Sequence, residues 1–228
     1  MTLTQARQFA RLFLPAAKKN VIGDTDVDAI LRLGIVDVAR FTKCLPTNDY
    51  IDVVVDKGEY NLSTELDDYL IIREPGVWFH SGGTRWKQLL PCTIKWLDEE
   101  IPTWRDADSD EPVYYYIEGD ILGIHPKSAT AYTNGLHVYF AKRPVSPTKD
   151  SHFLFGGANE ITRLSILDDV VISYWEWQAS KIVGDRKDIL LAKRADYENL
   201  LVQKDILLKA RPDIAASPDA RLTGTSKR

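Results

Sequence analysis

Apolar residues near the start of the chain recur at helical spacing. Ala6, Phe9, Ala10, Phe13 and Leu14 predict a helix over Thr4 to Lys19 that Pro15 kinks or ends. Gly23 punctuates, and Asp24, Thr25 and Asp26 then offer N-cap oxygens to a second helix. On it Val27, Ile30, Leu31, Ile35, Val38 and Phe41 share one face, and Pro46 stops it.

From Tyr50 the period falls to two. Ile51, Val53 and Val55 alternate with Asp52 and Asp56 before a turn at Lys57-Gly58. Tyr69 to Arg73 and Val77 to His80 flank Pro75-Gly76, which suits a type II turn and predicts a hairpin. Thr93 caps a short helix to Glu100. Val113 to Ile117 and Ile121 to Ile124 form a hairpin across Glu118-Gly119-Asp120, and Asn134-Gly135 begins a third pairing. There Leu136, Val138 and Phe140 alternate with His137, Tyr139 and Ala141, as in a sheet with one buried face, until Pro144 and Pro147.

Helical spacing returns after Asn159, an N-cap candidate, with Leu164, Leu167, Val171, Tyr174 and Trp175 leading to Ile182. Gly184-Asp185 breaks the pattern. A last helix, Arg186 to Lys209, is predicted to turn Ile189, Ala192, Ala195, Leu200 and Leu207 inward and to stop before Pro212. Beyond Arg211 only Ile214 and Leu222 are large aliphatics, too few for a core.

Helices at both ends with strands between them predict an α+β fold: an antiparallel helical bundle from the terminal segments, with an inserted antiparallel β-sandwich-like module. The expected divisions are 1–48 and 149–209 for the bundle, 49–148 for the β module and 210–228 for an extended C-terminal tail. There is no internal repeat and no low-complexity block.

Composition narrows the function. At 228 residues the chain is long enough for a self-supporting core. Cys44 and Cys92 stand far apart, as buried free thiols of a reducing compartment would, and form neither a disulfide framework nor a thiolate metal site. The start lacks a basic, then apolar leader, and no stretch approaches the roughly 20 apolar residues of a bilayer span, so a soluble protein made in the cytoplasm is expected. A net charge of −4 argues against a protein that grips nucleic acid, which needs a concentrated basic footprint.

Candidate chemistry is sparse. Asp24-Thr25-Asp26-Val27-Asp28 and Asp106-Ala107-Asp108-Ser109-Asp110 imitate the start of a calcium loop. The sixth positions are Ala29 and Glu111 where Gly is needed, and the twelfth are Ile35 and Ile117 where a bidentate Glu belongs. His80, His125, His137 and His152 lack ligand spacing. Gly82-Gly83 and Gly156-Gly157 do not make a phosphate loop. Asp98, Glu99 and Glu100, with Trp96 and Trp104, imitate a glycosidase pair, yet neighbours on one short helix diverge. No Gly-x-Ser-x-Gly elbow occurs. No catalytic residue, cofactor site or metal site is expected, and the protein is expected not to be an enzyme.

The order of segments carries more information. After the capped helix come Asp56-Lys57-Gly58-Glu59-Tyr60-Asn61-Leu62 and Tyr69-Leu70-Ile71-Ile72-Arg73-Glu74-Pro75-Gly76-Val77-Trp78. Pro112-Val113-Tyr114-Tyr115-Tyr116-Ile117-Glu118-Gly119 and Leu122-Gly123-Ile124-His125-Pro126 follow, then Leu136 to Pro144 and the closing helices with Tyr174-Trp175. Over Asp24 to Gln203 this resembles the head-tail adaptor, or connector, proteins of short-tailed and related bacteriophages. Gly123 and Lys127 depart from the more aliphatic, proline-rich strand end of that pattern.

The resemblance implies a structural virion protein at the head-tail junction, made in the host cytoplasm. About twelve copies would form a dodecameric ring that joins the portal protein to the tail or nozzle protein and surrounds the channel for genomic DNA. It also implies portal docking through the C-terminal extension, here Arg211, Ile214, Arg221, Leu222, Lys227 and Arg228, a tail that orders only on a partner surface. An acidic subunit suits a conduit along which DNA slides without sequence-specific binding. Trp78, Trp86 and Trp104 are candidate interface anchors. The alternative is a carbohydrate- or receptor-binding β module of a phage particle, for which the surrounding helices have no use.

Overall fold

A computed structural model describes residues 1–12, 14, 22–82, 85–156, 158 and 161–210, with the side chains of 162 and 163 excepted. Helix α1 (Leu3–Leu12) buries Leu3, Ala6 and Ala10, while Phe9, expected inward, is half-exposed. The predicted continuation through Phe13 to Lys19 lies largely outside the described residues. Arg7 fastens α1 to helix α2 (Asp24–Thr42): its Nε and Nη2 reach the two oxygens of Asp28 at 2.7 and 2.6 Å, and Nη1 reaches Asp150 at 2.6 Å. This bidentate fork is the geometry that planar guanidinium favours.

The cap of α2 differs from expectation. Gly23 holds the N-cap position, and Asp26, one turn in, reaches back to accept its N–H at 3.0 Å. Val27, Ile30, Leu31, Ile35 and Val38 are buried as the spacing predicts, but Phe41 is exposed and Thr42 is buried in its place, its hydroxyl donating to the Val38 carbonyl. Lys43, in the left-handed region, ends the helix before Pro46.

A 3-10 segment (Thr162–Leu167) leads into α5 (Asp168–Val183), which closes on Gly184 at φ +72°. The predicted N-cap Asn159 lies outside the described residues. Helix α5 packs closely on α2, because a Cβ on Gly34 would stand 2.8 Å from the Tyr174 ring. Helix α6 (Lys187–Ala210) packs on both α5 and α2. Its inward residues are Tyr197, Leu201, Asp205 and Leu208, and not those the spacing selected: Ile189, Ala192, Ala195 and Leu207 are exposed and Leu200 is only half-buried. The helix is apolar on more than one face, so periodicity alone had no means of choosing. Tyr197 makes the choice, by stacking on Trp177, meeting Tyr174 edge-on and bonding Asp37 of α2.

The chain folds as two compact units, one formed by the described residues of Met1–Leu45 and Arg143–Arg228, the other by Pro46–Lys142. The second unit holds two four-stranded sheets. The first contains β1 (Pro46–Val53), β3 (Tyr69–His80), β4 (Trp86–Gln88) and β8 (Tyr132–Lys142) in the order β1-β8-β3-β4, all antiparallel. The second contains β2 (Glu59–Asn61), β5 (Leu90–Pro91), β6 (Tyr114–Glu118) and β7 (Ile121–His125) in the order β2-β7-β6-β5, with β5 parallel to β6. Inward residues of both sheets, among them Ile51, Val77, Phe79, Val138, Phe140, Tyr60, Leu122 and Ile124, share one apolar cluster. The overall class is α+β.

The hairpin expected at Pro75-Gly76 is absent. Both flanks belong to β3 and pair with the same strand: Ile72 with Phe140 and Val77 with Val138. Five steps along β3 therefore match two along β8, and the surplus forms a bulge. Gly76 does take the positive dihedral of a turn, φ +87°, but the chain kinks without reversing, and Gln88 Nε2 holds the bulge by donating to the Pro75 carbonyl. Strand β1 begins at Pro46 and ends at Val53, leaving Val55 exposed beyond it. Asn134-Gly135 lies inside β8, where Asn134 at φ +54° marks an irregularity opposite the Ile51–Val53 shift.

Other expectations hold. The Thr93 hydroxyl accepts the Trp96 N–H at 3.1 Å and starts the helix α4 (Ile94–Glu100). Strands β6 and β7 pair across Gly119 at φ +60°. A short helix, α3 (Leu62–Glu65), which the spacing did not indicate, is capped by Asn61. Gly123, out of pattern in the sequence, has a local cause: a Cβ there would lie 2.0 Å from the Tyr116 ring, which covers the strand at that point.

Candidate functional site

Alternation places one residue of each pair on the outer face of the first sheet. Outward positions on β1, β8, β3 and β4 bring together Tyr50, His137, Tyr139, Trp78, His80 and Trp86, a concentration of rings that no single strand reveals. Tyr50 stacks on His137 with centroids 4.5 Å apart, His137 meets Tyr139 at 4.4 Å, and Trp86 lies 4.7 Å from His80 and 5.6 Å from His137. Register sets Trp78 opposite His137 and His80 opposite Trp86. Two of the three tryptophans expected to act as anchors therefore share this face as diagonal neighbours.

The face is apolar with a few fixed polar points. Tyr50 is 44% exposed, whereas the other rings are half-buried. His137 Nε2 lies 3.0 Å from Asn48 Oδ1, and burial lowers the affinity of the ring for a second proton, partly offset by Asp49. The indole N–H of Trp78 is buried and has no hydrogen-bond partner among the described residues. Large, rigid rings with few polar groups give a surface that gains contact area at little entropic cost. At the free edge of the sheet, Asp49 accepts the N–H of Tyr50 and so blunts β1 against strand addition.

Trp104 lies apart from this face, on a 3-10 turn (Trp104–Asp106) beside the second sheet. Its Nε1 donates to Asp98 at 2.8 Å, the Arg105 guanidinium covers its ring at 4.4 Å, and its edges meet Tyr116 and His125. The Arg105 guanidinium, with help from the indole, holds the Asp98 carboxyl below the usual range. A cavity of about 430 Å³ opens there, lined in part by Lys57, Glu59, Tyr116 and His125. The Tyr116 hydroxyl donates to Glu59 at 2.9 Å, and burial keeps this phenol neutral well past its ordinary range. His125, 5% exposed, titrates below ordinary imidazole because burial disfavours its charged form.

The acidic runs find separate partners. Asp24 pairs with Arg11 and Asp28 with Arg7, while Ser109 donates to Asp56. Among the described residues no three His, Cys, Asp or Glu side chains converge as metal ligands, and no helix is long and apolar enough to cross a membrane. The tail residues Arg211, Ile214, Arg221, Leu222, Lys227 and Arg228 lie outside the described residues.

The rings of the outer face were each visible in the sequence, but strand order was not. Only the pairing of β1 and β3 with β8 brings Tyr50, Trp78 and His137 side by side, and that pairing spans long separations. No curated protein matches the chain by sequence. The family model described as SU10 adaptor protein matches residues 1–221. With nearly the whole chain covered, this protein belongs to the SU10 adaptor protein family, a family of structural adaptors of bacteriophage particles.

Proposed function

We propose that this chain is a head-tail adaptor whose copies form a ring, dodecameric in number, that joins the portal to the tail or nozzle protein and surrounds the path of the genomic DNA. The observation that carries the proposal is the family match over residues 1–221. In this reading residues 1–48 and 149–209 supply a helical bundle, 49–148 a β-sandwich-like module and 210–228 a tail that docks on the portal. The net charge of −4 supports passage of DNA without capture, because phosphate is repelled and not neutralised. Trp78 and Trp86 serve as anchors toward a neighbouring protein in the particle, and Trp104, already engaged by Arg105 and Asp98, holds its own loop.

A second reading, a carbohydrate- or receptor-binding β module, is favoured by the aromatic outer face alone. The two separate in one experiment. The purified chain, with and without residues 211–228, is mixed with its cognate portal ring and the complexes are sedimented. Co-sedimentation that is lost on truncation supports both the adaptor role and tail docking. Co-sedimentation that survives truncation keeps the role and moves the contact to the folded units. Failure of the full chain to bind overturns the adaptor reading and leaves the carbohydrate one.

A further inference from the structure

A surface helix ordinarily reserves one face for the core and gives the rest to water. Helix α6 has a second apolar face. Leu191, Val202 and Ile206 are 56%, 47% and 60% exposed, and Ala195 is exposed between them. At 3.6 residues per turn these four fall within about 60° of arc and run ~23 Å along the helix. Exposed Lys187 lies along the flank of this ridge, as do Arg194 and Lys209, which pair within the helix with Glu198 at 2.7 Å and Asp205 at 2.6 Å.

The same unit carries a groove with the opposite character. About 490 Å³ of space is bounded by Phe9 of α1, Ile166, Ile172, Ser173 and Glu176 of α5 and its approach, and Lys204 of α6. Phe9, half-exposed on its wall, has the apolar surface that α1 fails to bury. Lys204 closes the rim through Asp169 at 2.8 Å. Glu176 is half-buried in the wall, and burial raises its carboxyl above the usual range, with Lys193 offsetting part of the shift. Lys204 is two residues from both Val202 and Ile206, hence about 160° around the helix from each. Ridge and groove therefore face away from each other on one unit.

We propose that the α6 ridge of one copy seats in the α1–α5 groove of the next, so that copies of this chain join head to tail through their helical units. Shape and charge both select a second copy as occupant. The apolar ridge meets the Phe9, Ile166 and Ile172 wall, and Lys187 on the flank meets Glu176, Asp169 being held by Lys204. Complementary surfaces on opposite sides make a heterologous contact, the kind that repeats from copy to copy and forms a ring where the rotation between copies closes. A two-fold pairing of ridges would leave the groove and Glu176 uncovered. The inference rests on the adaptor reading, which calls for repeated copies.

The test uses full-length chains carrying Cys92→Ser, since Cys44 is buried. Phe9→Cys and Val202→Cys variants, each checked by circular dichroism, are assembled with the cognate portal and treated with a short bismaleimide. Covalent dimers are expected when the two variants are mixed and not from either alone, and the F9C/V202C chain should give a ladder of oligomers. Val202→Cys alone cross-linking to itself overturns the proposal in favour of two-fold packing. No cross-links on a portal that the unmodified chain fully decorates overturns the contact and leaves the adaptor reading intact. A ladder in solution with no portal binding does the reverse, and the absence of both defeats both. As an independent check, the exposed double substitution V202E/I206E should reduce copies bound per portal at least tenfold, and unchanged occupancy contradicts the ridge.

Discussion

Tyr197 of α6 donates its hydroxyl hydrogen to the Asp37 carboxylate of α2, and this bond, with the Trp177 and Tyr174 rings on either side, decides which face of α6 turns inward. Tyr197 is 3% exposed, and burial together with Asp37 keeps its phenol protonated far beyond the ordinary tyrosine range. Tyr197→Phe keeps the packing and strands the carboxylate. A loss of about 1.5–3 kcal/mol is expected, the range for a hydrogen bond to a charged group, read as a lower urea midpoint at unchanged slope. A midpoint equal to the parent's would remove Tyr197 from this role. Because the folded phenol titrates higher than the unfolded one, its contribution is complete below about pH 10 and is lost as pH rises beyond.

Gly123 is required by Tyr116. Gly123→Ala places a methyl where the ring lies, so the ring must move and its bond to Glu59 must break. A destabilisation of about 1–3 kcal/mol is expected, as for overpacked positions. In a Tyr116→Leu background the alanine should cost much less, and an unchanged cost there would refute the explanation.

Arg7 clasps two carboxylates with one planar group. Arg7→Lys preserves charge but not the fork to Asp28, and about 1 kcal/mol of stability should be lost. Side chains of the pair are 23% and 16% exposed, so the loss should change little between low and moderate salt. Thermal unfolding at two ionic strengths measures both effects, and a lysine variant as stable as the parent would contradict the assignment.

Acid should weaken the protein well above the carboxylate range. Burial depresses the folded pKa of both His125 and His137 below 6.5, whereas the unfolded chain takes up protons near that value. The unfolded state then binds more protons, so stability present above pH 6.5 declines as pH falls toward the folded values. Urea midpoints from about pH 7.5 to 5.5 should fall, and His125→Gln should flatten the slope. Equal slopes in the two proteins would show that His125 does not carry the effect.

How far the sequence revealed this molecule depended on the range of the interaction. The Thr93 cap, the Gly119 hairpin and the Leu136 to Phe140 alternation are set within a few residues, and each was legible. Pro75-Gly76 was legible as a kink but not in its outcome, because the strand that both flanks join is β8, more than sixty residues along the chain. Gly76 supplies the same dihedral in a bulge as in a turn. The inward face of α6 differs from the predicted one for a related reason: Ile189, Leu200 and Leu207 are as apolar as Leu201 and Leu208, and the partners that hold the inner set, Asp37 of α2 with Tyr174 and Trp177 of α5, lie on other helices.

The candidate anchors divide in the same way. Trp78 and Trp86 share one face because β4 pairs with β3 in a register that the alternation of outward residues allows. Trp104 lies beside the second sheet, with Asp98, Arg105 and Tyr116 as its neighbours.

The central claim is that copies of this chain build one ring on the portal. Native mass spectrometry of the complex between the full chain and its cognate portal ring tests it most directly. The account predicts a single dominant complex whose added mass corresponds to twelve copies, with few partly filled species, because a closed heterologous ring is favoured over open arcs. A broad ladder of independently bound copies, or a portal that gains no mass, would contradict it.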